Sequence, residues 1–235
     1  MYTAKKVTRH FYSGDIYASQ RPSSSTEIKL KIKGRKEKKA LAQITSHVSV
    51  RNARVLDIGC GDAEFMTLLS PKHKYGVDIN RRAVKRARKR GVNAQVMDVE
   101  TEKLPYPNNY FDLVLCMEVF EHLFDPTLLV SEIGRVLKKG GHVYATVPND
   151  LYWLGARLNV LFGKPFLQSS MLIPHHHVRF FNKKLLSGLF KEESFEIIYL
   201  GGFHSKRIPS TMEHFLAKHT TNLFVSNFSI LVRKS

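Results

Sequence analysis

Acidic side chains and glycines stand at the ends of three successive apolar runs. Asp57, Gly59 and Gly61 close the first run, Asp78 closes the second and Asp98 closes the third. Glycine permits a sharp turn and a close approach of the backbone to a ligand, which a Cβ would obstruct. The first carboxylate suits a ligand ammonium group, the second suits both hydroxyls of a ribose, and the third suits an adenine amino group. The pattern therefore predicts a site for a nucleoside-containing cofactor.

Two other interpretations of these residues are weaker. A strand-end aspartate often caps the following helix or turn, but three in register after successive strands favour a ligand site. A dinucleotide site needs a third small residue in the pattern Gly-x-Gly-x-x-Gly, because helix and strand pack closely there. Glu64 occupies that position, so the turn is a poor fit to NAD.

A second group of reactive side chains follows the fourth apolar run. Glu118, Glu121 and His122 are spaced i, i+3 and i+4, which predicts that they share one side of a helical turn. His177 lies further along, in the run HHHVRFF. Two carboxylates and one or two imidazoles would suit Mg²⁺ or Mn²⁺, which could lower the pKa of a hydroxylated acceptor. Two alternatives remain open. The pocket could be metal-free with His122 or His177 as the base, or these residues could have no catalytic role.

The run of three histidines does not itself predict zinc. Adjacent histidines rarely converge on one ion, and no cysteine accompanies them. The sequence leaves open which of His175, His176 and His177 faces the site.

The elements that must position these groups alternate between strands and helices. Such alternation predicts right-handed crossovers and a mostly parallel, doubly wound α/β sheet, with ligands bound outside the carboxyl ends of its strands. A late hairpin-like pair, 195–203 and 223–234, could close the sheet. The other predicted strands are 54–59, 74–79, 93–98, 111–117 and 142–147, and the predicted helices are 62–70, 81–90, 126–138 (ending at Gly140-Gly141) and 183–191.

Two segments fall outside this alternation. Residues 1–50 are predicted to be a partly flexible basic extension ending in a helix near residue 48, and residues 51–235 the main domain. An aromatic-rich insertion at about 150–177 contains Trp153, the only tryptophan. Its apolar character suits an acceptor-binding lid for a quinone, prenyl or lipid-linked molecule, although simple helix packing explains it equally well.

Positive charge is unevenly distributed along the chain. The formal net charge is +17; residues 1–50 hold 11 basic and 3 acidic side chains, and residues 81–90 hold seven basic and none acidic. This asymmetry suits a phosphate-bearing partner such as RNA or an anionic membrane surface, and a solvated helix face is the alternative. Two cysteines, no secretory signal and no transmembrane segment favour a cytoplasmic location.

The ordered motifs VLDIGCGDAEF, YGVDIN, VMDVE, FDLVLCMEVFEHL and GRVLKKGGHVYATVPN resemble those of class I S-adenosylmethionine-dependent methyltransferases. The resemblance is to their type 11, ubiquinone-biosynthesis-like group, and runs from about residue 53 to 150. It implies a Rossmann-like sheet of seven strands whose last strand is antiparallel. It also implies S-adenosylmethionine contacts from Asp57, Gly59, Cys60, Gly61, Asp78, Ile79, Asp98, Val99 and Met117.

The turn Glu-x-x-Glu-His resembles the metal-binding turn of two relatives. These are the ubiquinone-biosynthesis O-methyltransferases and the enzymes that methylate the ribose 2′-oxygen at small-RNA 3′ ends. The resemblance implies Glu118, Glu121, His122 and His177 as metal ligands, and His122, His177 and Glu118 as catalytic groups. Similar sequence also occurs in members not known to need a metal.

The expected function is methyl transfer to oxygen of a small-molecule or lipid-linked acceptor. Cys116-Met117-Glu118-Val119 replaces the Asn-Pro-Pro-Tyr-type sequence that marks amino-group methylation of bases, which favours oxygen or, less strongly, carbon. An RNA ribose 2′-O-methyltransferase and a non-catalytic, methyltransferase-like partner protein are the alternatives.

Overall fold

The computed structural model describes residues 35–149, 161, 177–191, 194–204 and 225–235. Seven strands form one sheet. In chain order they are β1 (Arg54–Ile58), β2 (His73–Asp78), β3 (Asn93–Val96), β4 (Phe111–Met117), β5 (Leu137–Pro148), β6 (Phe195–His204) and β7 (Val225–Lys234).

Helices connect these strands in the order that the sequence predicts. They are α1 (Arg35–Thr45), α2 (Glu64–Leu69), α3 (Arg81–Lys89), a 3₁₀ turn (Phe120–His122), α4 (Pro126–Val136) and α5 (Lys183–Lys191). The Asn80 side chain accepts hydrogen bonds from two amides of the first turn of α3. Asp125 caps α4, whose first residue is Pro126. Both caps supply acceptors for amides that a helix leaves unpaired at its start.

The sheet order is β3-β2-β1-β4-β5-β7-β6. Strands β1 to β5 pair in parallel, whereas β7 is antiparallel to both β5 and β6. The predicted Rossmann-like sheet of seven strands with an antiparallel last strand is therefore confirmed. The chain leaves β1 towards β3 and then returns to the other side of β1 at β4, so a ligand crevice is expected where β1 and β4 end.

Two hydrophobic layers cover the two faces of the sheet. One contains Ile44 of α1, Met66 of α2 and Val84 of α3. The other contains Ile133 of α4 and Phe190 of α5. Because both faces are covered, the central strands are predominantly apolar, as parallel strands usually are.

The boundary between α4 and β5 differs from the prediction. The helix ends at Val136, and β5 begins at Leu137 and runs through Gly140 and Gly141. Leu137 is fully buried and pairs with Phe111 ahead of an irregularity in the β4–β5 ladder. The predicted helix to residue 138 was therefore too long, because pairing with β4 draws Leu137 into the sheet.

Several predictions concern residues outside the described part of the chain. These are the extension before residue 35, most of the insertion at about 150–177 including Trp153, and the orientation of His175 and His176. Among the described helices, none has both the length and the apolar character needed to cross a membrane.

Candidate functional site

A left-handed glycine turn joins β1 to α2. Gly59 and Gly61 have φ angles of +69° and +54°, a region that side chains with a Cβ rarely occupy. The Gly59 amide donates to the carbonyl of Val77 at 2.9 Å. A Cβ on Gly59 would lie 2.6 Å from Cγ2 of Val119. Both conformation and space therefore require glycine at position 59, which is the exposed residue of the turn.

The Asp78 carboxylate bridges this turn and the start of α3. Its Oδ2 accepts from the Gly61 amide and its Oδ1 from the Asn80 amide, each at 2.8 Å. Because a carboxylate offers about four lone-pair sites, these two bonds orient Asp78 and still allow it to accept from ribose hydroxyls. Ile79 next to it is half-buried.

Asp57 is a buried carboxyl at the carboxyl end of β1, only 3% exposed. Burial, and secondarily the nearby Asp78 carboxylate, raise its pKa to about 8. Desolvation disfavours the ionised form, and a second negative charge adds repulsion. A ligand cation beside Asp57 would offset both effects, which is the interaction expected of an ammonium group.

Asp98 partly serves the capping role that was the alternative interpretation. Its Oδ1 accepts from the Glu100 amide at 3.1 Å, while its own amide donates to Oε1 of Glu102 at 2.9 Å. The side chain of Asp98 is almost buried, and Val99 is half-buried against the hydrophobic core. Asp98 is therefore held at the end of β3 by the turn that follows it.

The two cysteines beside the site face the protein interior. Cys60 is 7% exposed and Cys116 is fully buried, and burial is the main cause that raises the pKa of both thiols. Both remain neutral thiols, so the backbone of Cys60 rather than its sulfur is what the site presents. Met117, at the end of β4, is half-buried.

Glu118 does not share a helical turn with Glu121 and His122, so that prediction is wrong. Its φ angle is +57°, and the 3₁₀ turn begins only at Phe120. Its carboxylate instead accepts from Thr146 Oγ1 at 2.8 Å and from Asn227 Nδ2 at 3.0 and 2.9 Å. These partners on β5 and β7 direct Glu118 towards the antiparallel side of the sheet.

Glu121, His122 and His177 do come together. One ligand atom from each lies within 4.8 Å of those from the other two, and the two imidazole rings are 5.2 Å apart between centroids. His122 Nε2 lies 3.7 Å from Glu121 Oε1. Glu121 is 1% exposed whereas the imidazoles are partly exposed. The group places one buried carboxylate behind two accessible nitrogen bases.

Hydrogen bonds hold His177 beside the 3₁₀ turn. The amides of Val178 and Arg179 donate to the Glu121 carbonyl at 2.8 and 3.1 Å. Nε of Arg179 donates to the carbonyls of Leu123 and Phe124, and its Nη2 donates to the latter. Contacts from residues 178–179 thus determine where His177 lies.

Sequence reasoning missed Thr146 and Asn227, the two partners of Glu118. Asn227 is 4% exposed within the largely buried strand β7. A polar residue at an interior position of such a strand is the signal that could have identified it, since a buried amide needs a partner. Nothing local in the sequence indicates that the partner is Glu118.

Residues 56–145 match the sequence family described as a methyltransferase domain. The chain is 31% identical over 118 residues to the ubiquinone biosynthesis O-methyltransferase of Neisseria meningitidis serogroup C (strain 053442), which covers 46% of this chain and 50% of that protein. It is 29% identical over 157 residues to a probable S-adenosylmethionine-dependent methyltransferase of Mycobacterium tuberculosis (strain ATCC 25618 / H37Rv), covering 66% and 53%. The matches span about half the length of these curated relatives.

Solved structures resemble the whole fold. A SAM-dependent methyltransferase of Thermotoga maritima, described as a possible histamine N-methyltransferase, aligns with a TM-score of 0.62 and 22% identity over 85% of this chain and 89% of that one. A methyltransferase of Mesorhizobium loti aligns with a TM-score of 0.61 and 18% identity over 82% and 96%. At these identities the likeness establishes the fold alone.

Proposed function

Since the chain contains a class I S-adenosylmethionine-dependent methyltransferase domain, we propose that it transfers a methyl group from S-adenosylmethionine to a hydroxyl oxygen of a small or lipid-linked acceptor. The observation that carries this proposal is the group Glu121, His122 and His177 at the carboxyl end of β4. The similarity to the Neisseria protein, an O-methyltransferase of ubiquinone biosynthesis, also supports it.

On the donor side, the chemistry of the carboxylates matches that of S-adenosylmethionine. Asp57 would receive the ammonium group, Asp78 the ribose hydroxyls and Asp98 the adenine amino group. The backbone at Gly59, Cys60 and Gly61 would contact the methionine part of the donor. Ile79, Val99 and Met117 would contact the adenosine. A cationic donor in a site with buried acidic groups is favourable because its charges offset their repulsion.

On the acceptor side, a hydroxyl must lose its proton as its oxygen attacks. In the proposed step, the acceptor oxygen forms a bond to the methyl carbon while the carbon–sulfur bond breaks. The O–H proton passes to Nε2 or Nδ1 of His122 or His177, and the products are a methyl ether and S-adenosylhomocysteine. Glu121, 3.7 Å from His122, would stabilise the imidazolium that forms. Alignment of the two reactants supplies most of the acceleration.

The same three residues fit a divalent cation. Ligand atoms lie about 2.0 to 2.2 Å from a small divalent ion, so two of them are at most about 4.4 Å apart, and the three groups, now within 4.8 Å of one another, would move closer together on binding it. Two imidazoles with one carboxylate favour Mn²⁺ over Mg²⁺, which prefers oxygen ligands. A bound cation would supply Lewis-acid stabilisation of an alkoxide. Glu118 lies outside this group, being held by Thr146 and Asn227.

The proposal is tested by asking which molecules become methylated. Purified protein is incubated with methyl-labelled S-adenosylmethionine, Mn²⁺ and whole-cell extract, and label is counted in lipid, small-molecule and RNA fractions. An Asp78→Ala variant is the control, because it should weaken donor binding without touching acceptor residues. Label in the lipid or small-molecule fraction, absent from the control, is the expected result. Turnover that EDTA leaves intact and Mn²⁺ does not stimulate would exclude the metal.

A second candidate function is methylation of an RNA ribose 2′-oxygen. The His122–His177–Glu121 group would serve this chemistry equally well, and the exposed basic residues of α3 favour it. Label found in the RNA fraction would replace the first proposal by this one. Binding of S-adenosylhomocysteine without label in any fraction would instead indicate a non-catalytic partner protein.

A further inference from the structure

Helix α3 carries far more positive charge than its packing requires. Ala83, Val84 and Ala87 form its buried face. Residues 81–90 include seven basic side chains and no acidic one. A helix of this length needs only its apolar face to cover the sheet, so packing does not explain the charge.

The basic side chains of Arg86, Arg88 and Arg90 have intramolecular partners. Arg86 and Arg90 lie 3.9 and 3.6 Å from the Asp62 carboxylate, and Arg90 lies 3.8 Å from Glu64. Nε of Arg88 donates to the carbonyl of Ala94 at 2.7 Å. These contacts join the end of α3 to α2 and β3 and have a structural role.

Arg81, Lys85 and Lys89 form a different set, which we call the α3 stripe. All three are exposed, and within the described residues no carboxylate pairs with them. Their i, i+4 and i+8 spacing aligns them along the helix, about 6 Å apart from one to the next. Like charges at i, i+4 destabilise a helix, and Arg81 at the first turn also opposes the helix dipole. The helix dipole favours only Lys89, in the last turn, and no carboxylate of the described fold offsets the remaining cost, which points to an external anion.

We propose that the α3 stripe binds the phosphate backbone of a double-helical nucleic acid. Regularly spaced cations match a line of phosphates and release counterions when they bind. Helix α1 lies in the same layer and adds exposed Lys36 and Lys38. Large apolar side chains that are exposed in the described structure lie outside α1, α2 and α3. The described part of this face offers no exposed aromatic platform for unpaired bases, so a duplex backbone fits it better than a single strand.

An anionic membrane fits this surface less well. Exposed Phe124, Leu128 and Leu185 lie in or next to α4 and α5, the layer on the opposite face of the sheet from α3. A flat bilayer touching the stripe could not also receive these apolar side chains, which membrane-surface helices normally insert. The stripe begins beside Asn80 and Asp78, so a bound duplex would reach the edge that carries the candidate donor site.

This inference is independent of the acceptor chemistry proposed above. The test compares the double variant Lys85→Gln/Lys89→Gln with Lys184→Gln/Lys191→Gln, which removes two exposed lysines from α5 on the opposite face. Binding of a fluorescent duplex of about 20 base pairs, RNA and DNA in parallel, is measured by anisotropy between about 50 and 200 mM salt. Each phosphate contact contributes about 0.9 to the slope of log K against log salt. The α3 variant should therefore lower that slope by about 1.8, and the α5 variant should leave it unchanged.

Equal slopes in the two variants, or no duplex binding at 50 mM salt, would overturn the proposal. Vesicles of phosphatidylglycerol and phosphatidylcholine are tested beside the duplex. If the α3 lysines govern vesicle binding but not duplex binding, the surface is a membrane contact instead. S-adenosylhomocysteine affinity and thermal unfolding of each variant show that the fold and donor site are intact. A chain that binds duplex but methylates only small molecules would support both proposals separately.

Discussion

Binding of S-adenosylhomocysteine should release a proton from Asp57. With a pKa of about 8, this carboxyl is about 90% protonated at pH 7 in the free protein. A ligand ammonium beside it favours the ionised form, so binding at pH 7 should release about 0.9 proton. Apparent affinity should then fall about 50-fold from pH 8 to pH 6. At higher pH the affinity should fall again, once the ligand's own ammonium group deprotonates.

The assay is isothermal titration calorimetry at pH 7 in buffers of different ionisation enthalpy, which reports the protons released. Asp57→Asn should abolish the release and weaken binding at least about tenfold at pH 8. Asp112→Asn is the matched control, because Asp112 lies at the other end of the sheet and pairs with Lys138. Proton release that is near zero in the unsubstituted protein, or equal in Asp57→Asn, would refute the assignment of the ammonium to Asp57.

The same carboxyl should cost folding stability. Its folded pKa is raised, so the folded state binds the extra proton between the unfolded pKa of about 4 and about 8. Below pH 4 the carboxyl is protonated in both states, and its burial costs no ionisation energy. As pH rises from 4 towards 8, ionisation favours the unfolded state, so the free energy of unfolding falls. Asp57→Asn should stabilise the apo protein at pH 8, by on the order of 1–3 kcal/mol, and thermal unfolding measured at pH 5 and pH 8 tests this.

Three further substitutions probe the turn, the proposed metal group and the His177 segment. In thermal unfolding, Gly59→Ala should destabilise the fold by more than about 1 kcal/mol, because the new Cβ would clash in a left-handed conformation, and it should also impair donor binding. The control is Gly188→Ala, which has open space for a Cβ and should be neutral or stabilising. Glu121→Gln should abolish Mn²⁺ binding measured by electron paramagnetic resonance, whereas Glu118→Gln should retain it; the reverse pattern would contradict the grouping. Arg179→Ala should weaken Mn²⁺ binding at least several-fold, because it removes the side-chain contacts that hold the segment beside the 3₁₀ turn, and unchanged affinity would show that backbone bonds suffice.

The sequence predicts local features of the site better than long-range ones. The order of strands and the positions of Gly59, Asp57 and Asp78 follow from turn chemistry and apolar runs, which are encoded within a few residues. The end of α4 also looks predictable from the neighbouring sequence, yet the pairing of Leu137 with Phe111 ends the helix earlier. Backbone pairing between strands is a tertiary effect that helical periodicity does not report.

Glu118 illustrates the limit most directly. Its spacing from Glu121 and His122 is helical, but its conformation is left-handed, and its hydrogen-bond partners lie 28 and 109 residues away. The spacing alone predicts a regular helical turn, because it carries no information about those distant partners. The approach of His177 to His122 was expected from the resemblance, whereas no spacing rule links residues so far apart. The catalytic and metal roles of these residues remain predictions.

The turn after β3 gives the two halves of the site a shared path of hydrogen bonds. Asp98 accepts from the Glu100 amide, and the Glu100 side chain accepts from the Phe124 amide at 2.8 Å. The Phe124 carbonyl accepts from Arg179, two residues beyond His177. An adenine bound to Asp98, as proposed, would steady the segment that presents His177. Such a connection favours sequential kinetics in which the donor binds first and the acceptor meets an already ordered histidine.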